Sequence, residues 1–213
     1  MHAFAHTIRK HKLTLGFLLI ILLFLSFGIT TVRGLFALGR LTQTIYEHPL
    51  VVSNASLAAG LNMTKMHRSM KDVVLSDSAA ELEKALQAVA KSEADVYRQL
   101  DIVRENILGP EGQTLERETR QLFINWKPIR DEVIRDLKAG NITKAERITK
   151  AKGAEHVHLL ETKMLELSSY ARQKADAFLQ DAESKRSQLE AITIFLSIAG
   201  VFISVVIAFV TTL

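Results

Sequence analysis

Arg68, Arg130, Lys150 and Lys152 are the cations of this 213-residue chain whose positions allow them to act together. Counted along expected helices, each lies roughly 12 Å, at 1.5 Å per residue, from chain reversals expected near Asp77 and Gly140. Trp126, one turn before Arg130, and His156, about 15 residues into its helix, are further candidates below that layer. A layer of guanidinium and ammonium groups suits a small anion, a carboxylate above all, held by charge-assisted hydrogen bonds. Helical phase separates the members. Lys150 and Gly153 precede Val157 by seven and four places, which puts them on the apolar stripe of their helix. Arg130 flanks its stripe beside Trp126 and Val133. Arg68 points away from its own stripe, toward solvent or a second copy of the chain. The competing reading is that Asp72, Asp131 and Glu132 neutralise these cations in surface pairs worth about 0–1 kcal/mol. If the layer binds ligand, Arg130→Ala and Lys150→Ala abolish anion binding and leave thermal stability unchanged.

Other reactive residues point to less. Asn62 and Glu93 interrupt apolar stripes level with His156, so a buried Glu93–His156 contact is one candidate for a pH-sensitive element. The alternative is that they sit at bundle edges or set helix register. His2 and His6 share a helix face but lie in a short tail, and His156 and His158 lie on different faces. We expect no metal site. Met63, Met66 and Met70 read as core, because Met fills irregular gaps well. With no Cys there is no disulfide framework and no thiolate ligand or nucleophile. No phosphate loop, Gly-flanked Ser or carboxylate pair appears, so we expect neither enzyme activity nor a cofactor.

The elements that must position the cations are helices. Only three Pro and ten Gly are present, clustered rather than spread, and apolar residues recur every three or four places. The first outer stretch, to about Leu75, has its stripe at Met63, Met66, Met70 and Val73, and Pro49 is expected to kink it. The second opens at Ser78 with a Ser-x-x-Glu capping box to Glu81 and carries Leu82, Leu86, Val89, Val96, Leu100, Val103 and Ile107. Gly109-Pro110-Glu111-Gly112 ends it. The third carries Leu115, Leu122, Trp126, Ile129, Val133 and Leu137 and stops at Gly140, which suits a left-handed cap. Asn141 is expected to cap the fourth, with its stripe at Val157, Leu160, Met164, Leu167, Ala171, Ala175 and Phe178. Short connections force antiparallel neighbours. The expected fold is all-α, an antiparallel up-down-up-down four-helix bundle with helices 1 and 4 extended into two transmembrane helices.

Two uncharged runs support that extension. Residues 13–32 are long enough to cross a bilayer, and so are residues 191–213. The first is too long for a signal-peptide core and lacks a small-x-small cleavage site. Residues 1–12 form a basic tail with Arg9, Lys10 and Lys12, which the positive-inside rule places in the cytoplasm. Both termini are then cytoplasmic, and residues 33–190 lie outside, in the periplasm of a Gram-negative bacterium with the runs in its inner membrane. The net charge of +4 belongs mostly to that tail. It is not the basic face of a nucleic-acid binder.

Several stretches carry a family resemblance: Tyr46-Glu47-His48-Pro49-Leu50-Val51-Val52-Ser53-Asn54-Ala55, Met66-His67-Arg68-Ser69-Met70-Lys71-Asp72-Val73, Trp126-Lys127-Pro128-Ile129-Arg130-Asp131-Glu132-Val133 and Ile148-Thr149-Lys150-Ala151-Lys152-Gly153-Ala154-Glu155-His156-Val157. With these in place the chain resembles the four-helix-bundle sensor region of methyl-accepting chemotaxis receptors. Similar regions precede some bacterial diguanylate cyclases and histidine kinases. The resemblance implies a homodimer whose bundle detects a small ligand or a periplasmic binding protein and displaces a helix across the membrane. It also implies a downstream HAMP, kinase or cyclase output module, on this chain or on a partner chain. A last span with no basic residue after it is poorly anchored, so we expect these residues to be a segment of a longer protein; the alternative is a free-standing sensor. The rival function class is a membrane-anchored structural or adaptor module that dimerises with or clamps a partner protein and senses nothing.

Overall fold

The computed structural model describes the backbone of residues 2–212 and the side chains of residues 14–209. The tail cations Arg9, Lys10 and Lys12, and His2 and His6, lie outside the described side chains. Every described element is helical: α1 (His2–Ile45), a π-turn (Tyr46–Leu50), α2 (Val51–Val74), α3 (Ala79–Asn106), α4 (Pro110–Lys138), α5 (Ile142–Ile148), a second π-turn (Thr149–Gly153) and α6 (Ala154–Thr212). Where a π-turn joins two α stretches the helix runs on, so there are four helical segments. The chain divides into two compact units, one of residues 44–177 and one formed by the ends, up to Gln43 and from Phe178.

The first unit is a bundle of α2, α3, α4 and α5 with the start of α6. Its segment ends follow from local chemistry. Ser78 has extended backbone and its Oγ accepts from Glu81 N–H at 3.2 Å. Glu81 reaches back to Asp77 N–H at 3.1 Å, one residue earlier than the expected box. Gly109 has a φ of 81°, which a side chain would strain, and Pro110 takes the first helical position, where its missing N–H costs nothing. Gly140, with φ 79°, closes α4 in a Schellman motif: Asn141 N–H bonds to Asp136 O at 2.8 Å and Gly140 N–H to Leu137 O at 3.0 Å. Asn141 does stand at the start of α5, but its side chain makes no capping bond there. Its backbone is already committed to the Schellman turn.

Pro49 does not simply kink the first segment. It sits buried inside the first π-turn. A proline ring collides with the carbonyl four residues back in an α-helix, and the wider π-turn gives it room while the helix continues.

The core holds the apolar positions expected on α2, and Val89, Val96, Leu100, Val103 and Ile107 on α3. It also holds Val157, Leu160, Met164, Leu167 and Ala171 on α6. On α3, Leu82 and Leu86 are only half-buried and Ala85 lies inward. On α4 the expected phase is wrong at three places. Leu115, Leu122 and Leu137 lie at the edge, while Gly112, Glu116, Thr119 and Phe123 turn inward. Phe123 wins its place by packing edge-on to Tyr97 at 5.0 Å and to Trp126 at 6.3 Å. On α6, Ala175 and Phe178 are half-buried.

Small residues let segments approach closely. Ser53 and Ser168 share a buried hydrogen bond of 3.0 Å between α2 and α6, and a Cβ on Gly60 would touch Met164 at an ordinary 3.5 Å. Tyr170 of α6 reaches the α3–α4 turn, where its hydroxyl donates to Leu108 O at 2.8 Å. Its ring occupies the space a side chain on Gly112 would need.

The second unit has an apolar surface. Leu22, Phe24 and Leu25 on α1 are more than half exposed, as are Ile198, Val201 and Phe202 on α6. Thr31, Ser197 and Ser204 return their hydroxyls to carbonyls four residues back, at 2.8–2.9 Å, which satisfies them within their own helix. Both helices are long and apolar enough to cross a membrane, with no part of the apolar windows buried by protein.

The glycines give a direct check on the packing. A Cβ on Gly112 would lie 2.5 Å from Tyr170 Cε1 and 2.8 Å from Ile107 Cγ1. Gly112→Ala is therefore expected to cost about 1–3 kcal/mol through overpacking. Gly60→Ala meets only an ordinary contact and is expected to gain about 0.5–1 kcal/mol from helix propensity. Denaturant unfolding of the full chain in detergent checks both. A neutral Gly112→Ala would contradict the Tyr170 packing.

Candidate functional site

Arg130 organises the polar interior. It stands on α4, only 4% exposed, and its Nη2 donates to Glu93 Oε1 of α3 at 2.6 Å. Glu93 keeps 22% exposure, so the pair has one face near water. The guanidinium also lies 5.1 Å from the Trp126 ring centroid, within cation–π range. Its Nε is buried and has no hydrogen-bond partner among the described residues. On another side of Trp126 stands His67 of α2, with ring centroids 6.3 Å apart. Burial pushes the His67 imidazole pKa down, the Lys71 charge lowers it further, and Glu161 opposes both. Arg130, Glu93, Trp126 and His67 thus form one layer drawn from α2, α3 and α4.

The expected cation layer divides. Arg130 and Trp126 are inside the bundle. Arg68 is exposed and has no ion pair among the described residues. Lys150 and Lys152 are at the surface, Lys150 with Glu146 at 3.0 Å and Lys152 with Glu132 at 3.8 Å. Gly153 is buried as expected, but Lys150 is not, and Thr149 takes the inward place instead. The second π-turn is the reason: it holds one more residue than an α turn, so counting back from Val157 in α-helical steps stops one residue short of Thr149. Of the expected neutralising pairs, Asp131 meets Lys127 at 3.4 Å and Glu132 meets Lys152, whereas Asp72 has no ion pair among the described residues.

The expected Glu93–His156 contact does not form. Arg130 holds Glu93, and His156 Nε2 lies 2.8 Å from Leu122 O. A carbonyl only accepts, so Nε2 carries the proton. Asn62 is half-buried at the bundle edge.

A second charged cluster escaped the sequence reading. Glu116, 2% exposed, accepts from Arg120 Nε at 2.7 Å. Asp101 stands 3.1 Å from Arg120 Nη2, paired in charge but not aligned for a hydrogen bond, and 3.2 Å from Arg104. The signal was available in Thr119, which shares the face of Glu116 and is also buried. An i, i+4 Glu–Arg pair reads as surface decoration until that neighbour is noticed. Next to it, an open groove of about 620 Å³ runs past Glu111, Glu118, Glu166 and Tyr170. Lys163 bridges two of its carboxylates, Glu166 at 2.8 Å and Glu118 at 3.3 Å. The bond to Glu166 is the main reason its pKa is raised, with the bond to Glu118 adding to it and partial burial opposing. Among the described residues no group of His, Asp or Glu is arranged to hold a metal ion.

Arg130 is thus committed to Glu93, which changes what its removal does. Arg130→Ala is expected to lower stability by about 3 kcal/mol, because it leaves a partly buried carboxylate unpaired. The double variant Glu93→Leu with Arg130→Met is expected to recover most of that loss, and a double-mutant cycle in denaturant measures the coupling. His67 sets a pH dependence. The unfolded chain takes up the His67 proton at higher pH than the fold does. Stability is therefore highest above the ordinary imidazole pKa of about 6.5 and falls as pH drops through it, levelling off once the folded imidazole is also charged. His67→Gln is expected to flatten that slope between pH 7 and 5, read from thermal unfolding across this range.

The site so described is a buried charged and aromatic layer inside a helical bundle, and the chain also has two helices long and apolar enough to span a membrane. Residues 7–185 match the family model described as a four helix bundle sensory module for signal transduction. Neither a curated protein nor a solved structure matches the chain. The match takes in all four helical segments, and this chain belongs to the family of four-helix-bundle sensory modules for signal transduction.

Proposed function

We propose that the chain is the input half of a two-span chemoreceptor-type sensor in a bacterial inner membrane. Residues 13–32 and 191–213 form the spans, both termini are cytoplasmic, and residues 33–190 form the periplasmic bundle with its helices antiparallel. One observation carries this reading above the others. The single helix α6 holds core residues of the bundle, from Val157 to Ala171, and an uncharged run whose most apolar stretch has no buried residue among those described. A bundle position and a bilayer position are therefore set by one helix. Ligand binding that favours one packing of the bundle over another then displaces that helix, at the usual scale of about 1–2 Å. The chain transmits and does not catalyse. A HAMP-linked kinase, cyclase or methylated coil, on the same or another chain, reads the displacement.

The reading includes a homodimer formed through α2. Leu50, Leu57, Leu61 and Leu75 are each 43–69% exposed and, with Arg68, recur at steps of seven or four along one outer face. That is the seam of a coiled-coil pair. Arg68, on that seam and without an ion pair among the described residues, would meet a small anion between two copies, with Lys150 and Lys152 as outlying attraction. Since the natural chain has no Cys, single cysteines report the seam cleanly. Leu57→Cys and Leu61→Cys are expected to form interchain disulfides in membranes, and Gln87→Cys on α3 is not. Arg68→Ala is expected to remove the thermal shift given by a panel of mono- and dicarboxylates without changing the ligand-free Tm. Absence of cross-linking at both leucine positions would sink the dimer, and an unchanged shift in Arg68→Ala would sink the anion site.

A further inference from the structure

The fourth segment carries one residue too many. Its buried positions as far as Leu167 are Ala145, Thr149, Gly153, Val157, Leu160, Met164 and Leu167. The first three steps are four residues each, and the later ones alternate three and four. Three steps of four overrun an α-helix by roughly 120° at 3.6 residues per turn. The second π-turn absorbs the excess, with Ala154 N–H bonding to Thr149 O five residues back. If any one of the exposed residues Lys150, Ala151 or Lys152 is removed, the steps become four, three, four, three, four, three. That is an unbroken heptad, the pattern of a bundle helix that needs no π-turn.

The same segment has a second solution without removing anything. Continued as plain α-helix from Val157, the inward places fall on Gly153, Lys150 and Glu146, and Thr149 and Ala145 move to the edge. Lys150 and Glu146 are already paired, at 3.0 Å, so they can turn inward as a neutral couple. Their burial costs more than that of Ala145 and Thr149, which leaves the π-turn form as the ground state. Gly153 fits the same picture. A Cβ there would lie 3.2 Å from Ile148 O, a tight contact with the carbonyl that the widened turn brings near.

We propose that the π-turn at Thr149–Gly153 is a register switch: the segment exchanges between this form and a continuous α-helix, and the exchange exposes Thr149 and turns the Glu146–Lys150 pair inward. Each exchange shifts the helix on one side of the turn by one residue relative to the other, roughly 1.5 Å along the axis and 100° about it. An isolated π-turn in a long helix is often found at functional sites, and a one-residue step matches the scale of helix shifts at switching interfaces. The sensor reading gives the switch its use, but the exchange is a property of this helix and needs neither ligand nor output domain to be measured.

The test uses the full chain in bilayer vesicles and its cysteine-free background. Maleimide labelling rates are compared for Thr149→Cys, Lys150→Cys and the core control Leu160→Cys. Thr149 and Leu160 are both buried, so a static turn labels them equally slowly. The switch makes Thr149→Cys label about tenfold faster than Leu160→Cys, through the open register. Deleting Ala151 returns Thr149→Cys to the control rate, while Gly153→Ala, which crowds the π-turn, raises it by about threefold. Equal rates at the two buried positions overturn the proposal. So does a Thr149→Cys rate that the deletion leaves unchanged, since fraying from the Gly140 turn explains that result. Amide hydrogen exchange on the natural chain is the second measurement. Amides of residues 149–154 are expected to open about tenfold more often than those of residues 157–167, and equal protection overturns the switch even if the deletion variant fails to fold.

Discussion

Helical phase is the constraint on which this molecule turns. A segment in a bundle must bring a small or apolar residue to the core every three or four places, and a single extra residue rotates everything beyond it by roughly 100°. The chain meets that demand over α2, α3 and most of α6 with ordinary α-helix. It meets it at Tyr46–Leu50 and Thr149–Gly153 by widening the helix for one turn. In the first case a proline needs the room. In the second no proline is present, and the excess residue is met by a buried glycine that tolerates the crowded carbonyl of Ile148.

Charge inside the bundle obeys a second rule. Arg130 and Glu116 are as buried as the leucines around them, and each has a partner on hand, Glu93 and Arg120. Such pairs add little net stability over well-packed apolar residues. They join α4 to α3 at defined heights, since Arg130 reaches Glu93 and Arg120 reaches Asp101. The aromatic run Tyr97, Phe123, Trp126 and His67 fills the space between these two polar levels.

Much of the fold was legible in the sequence. The segments, the breaks at Ser78, Gly109 and Gly140, and the stripe from Val157 to Ala171 follow from spacing and turn chemistry alone. The candidate site was legible only in part. Trp126 beside Arg130 was visible, but the partner of Arg130 was not, because Glu93 lies on another helix and the pairing depends on how α3 rotates against α4. Lys150 was misplaced because a π-turn has no side-chain signature stronger than a glycine. Leu115 and Leu122 read as core because leucine is the commoner core residue, whereas Phe123 and Tyr97 decide the rotation of α4 by fitting each other. Asn141 occupies the position where a cap is usual, yet the Lys144 and Ala145 N–H groups bond to its backbone carbonyl and its side chain is left out.

The bond from Tyr170 to the Leu108 carbonyl, seated over Gly112, ties the reversal between α3 and α4 to α6. Loss of that bond would leave a half-buried carbonyl without its donor. The same helix is held to α2 by the buried Ser53–Ser168 bond. α6 is thus the post to which both α2 and the α3–α4 reversal are fastened, and two hydroxyl contacts fix their heights against it.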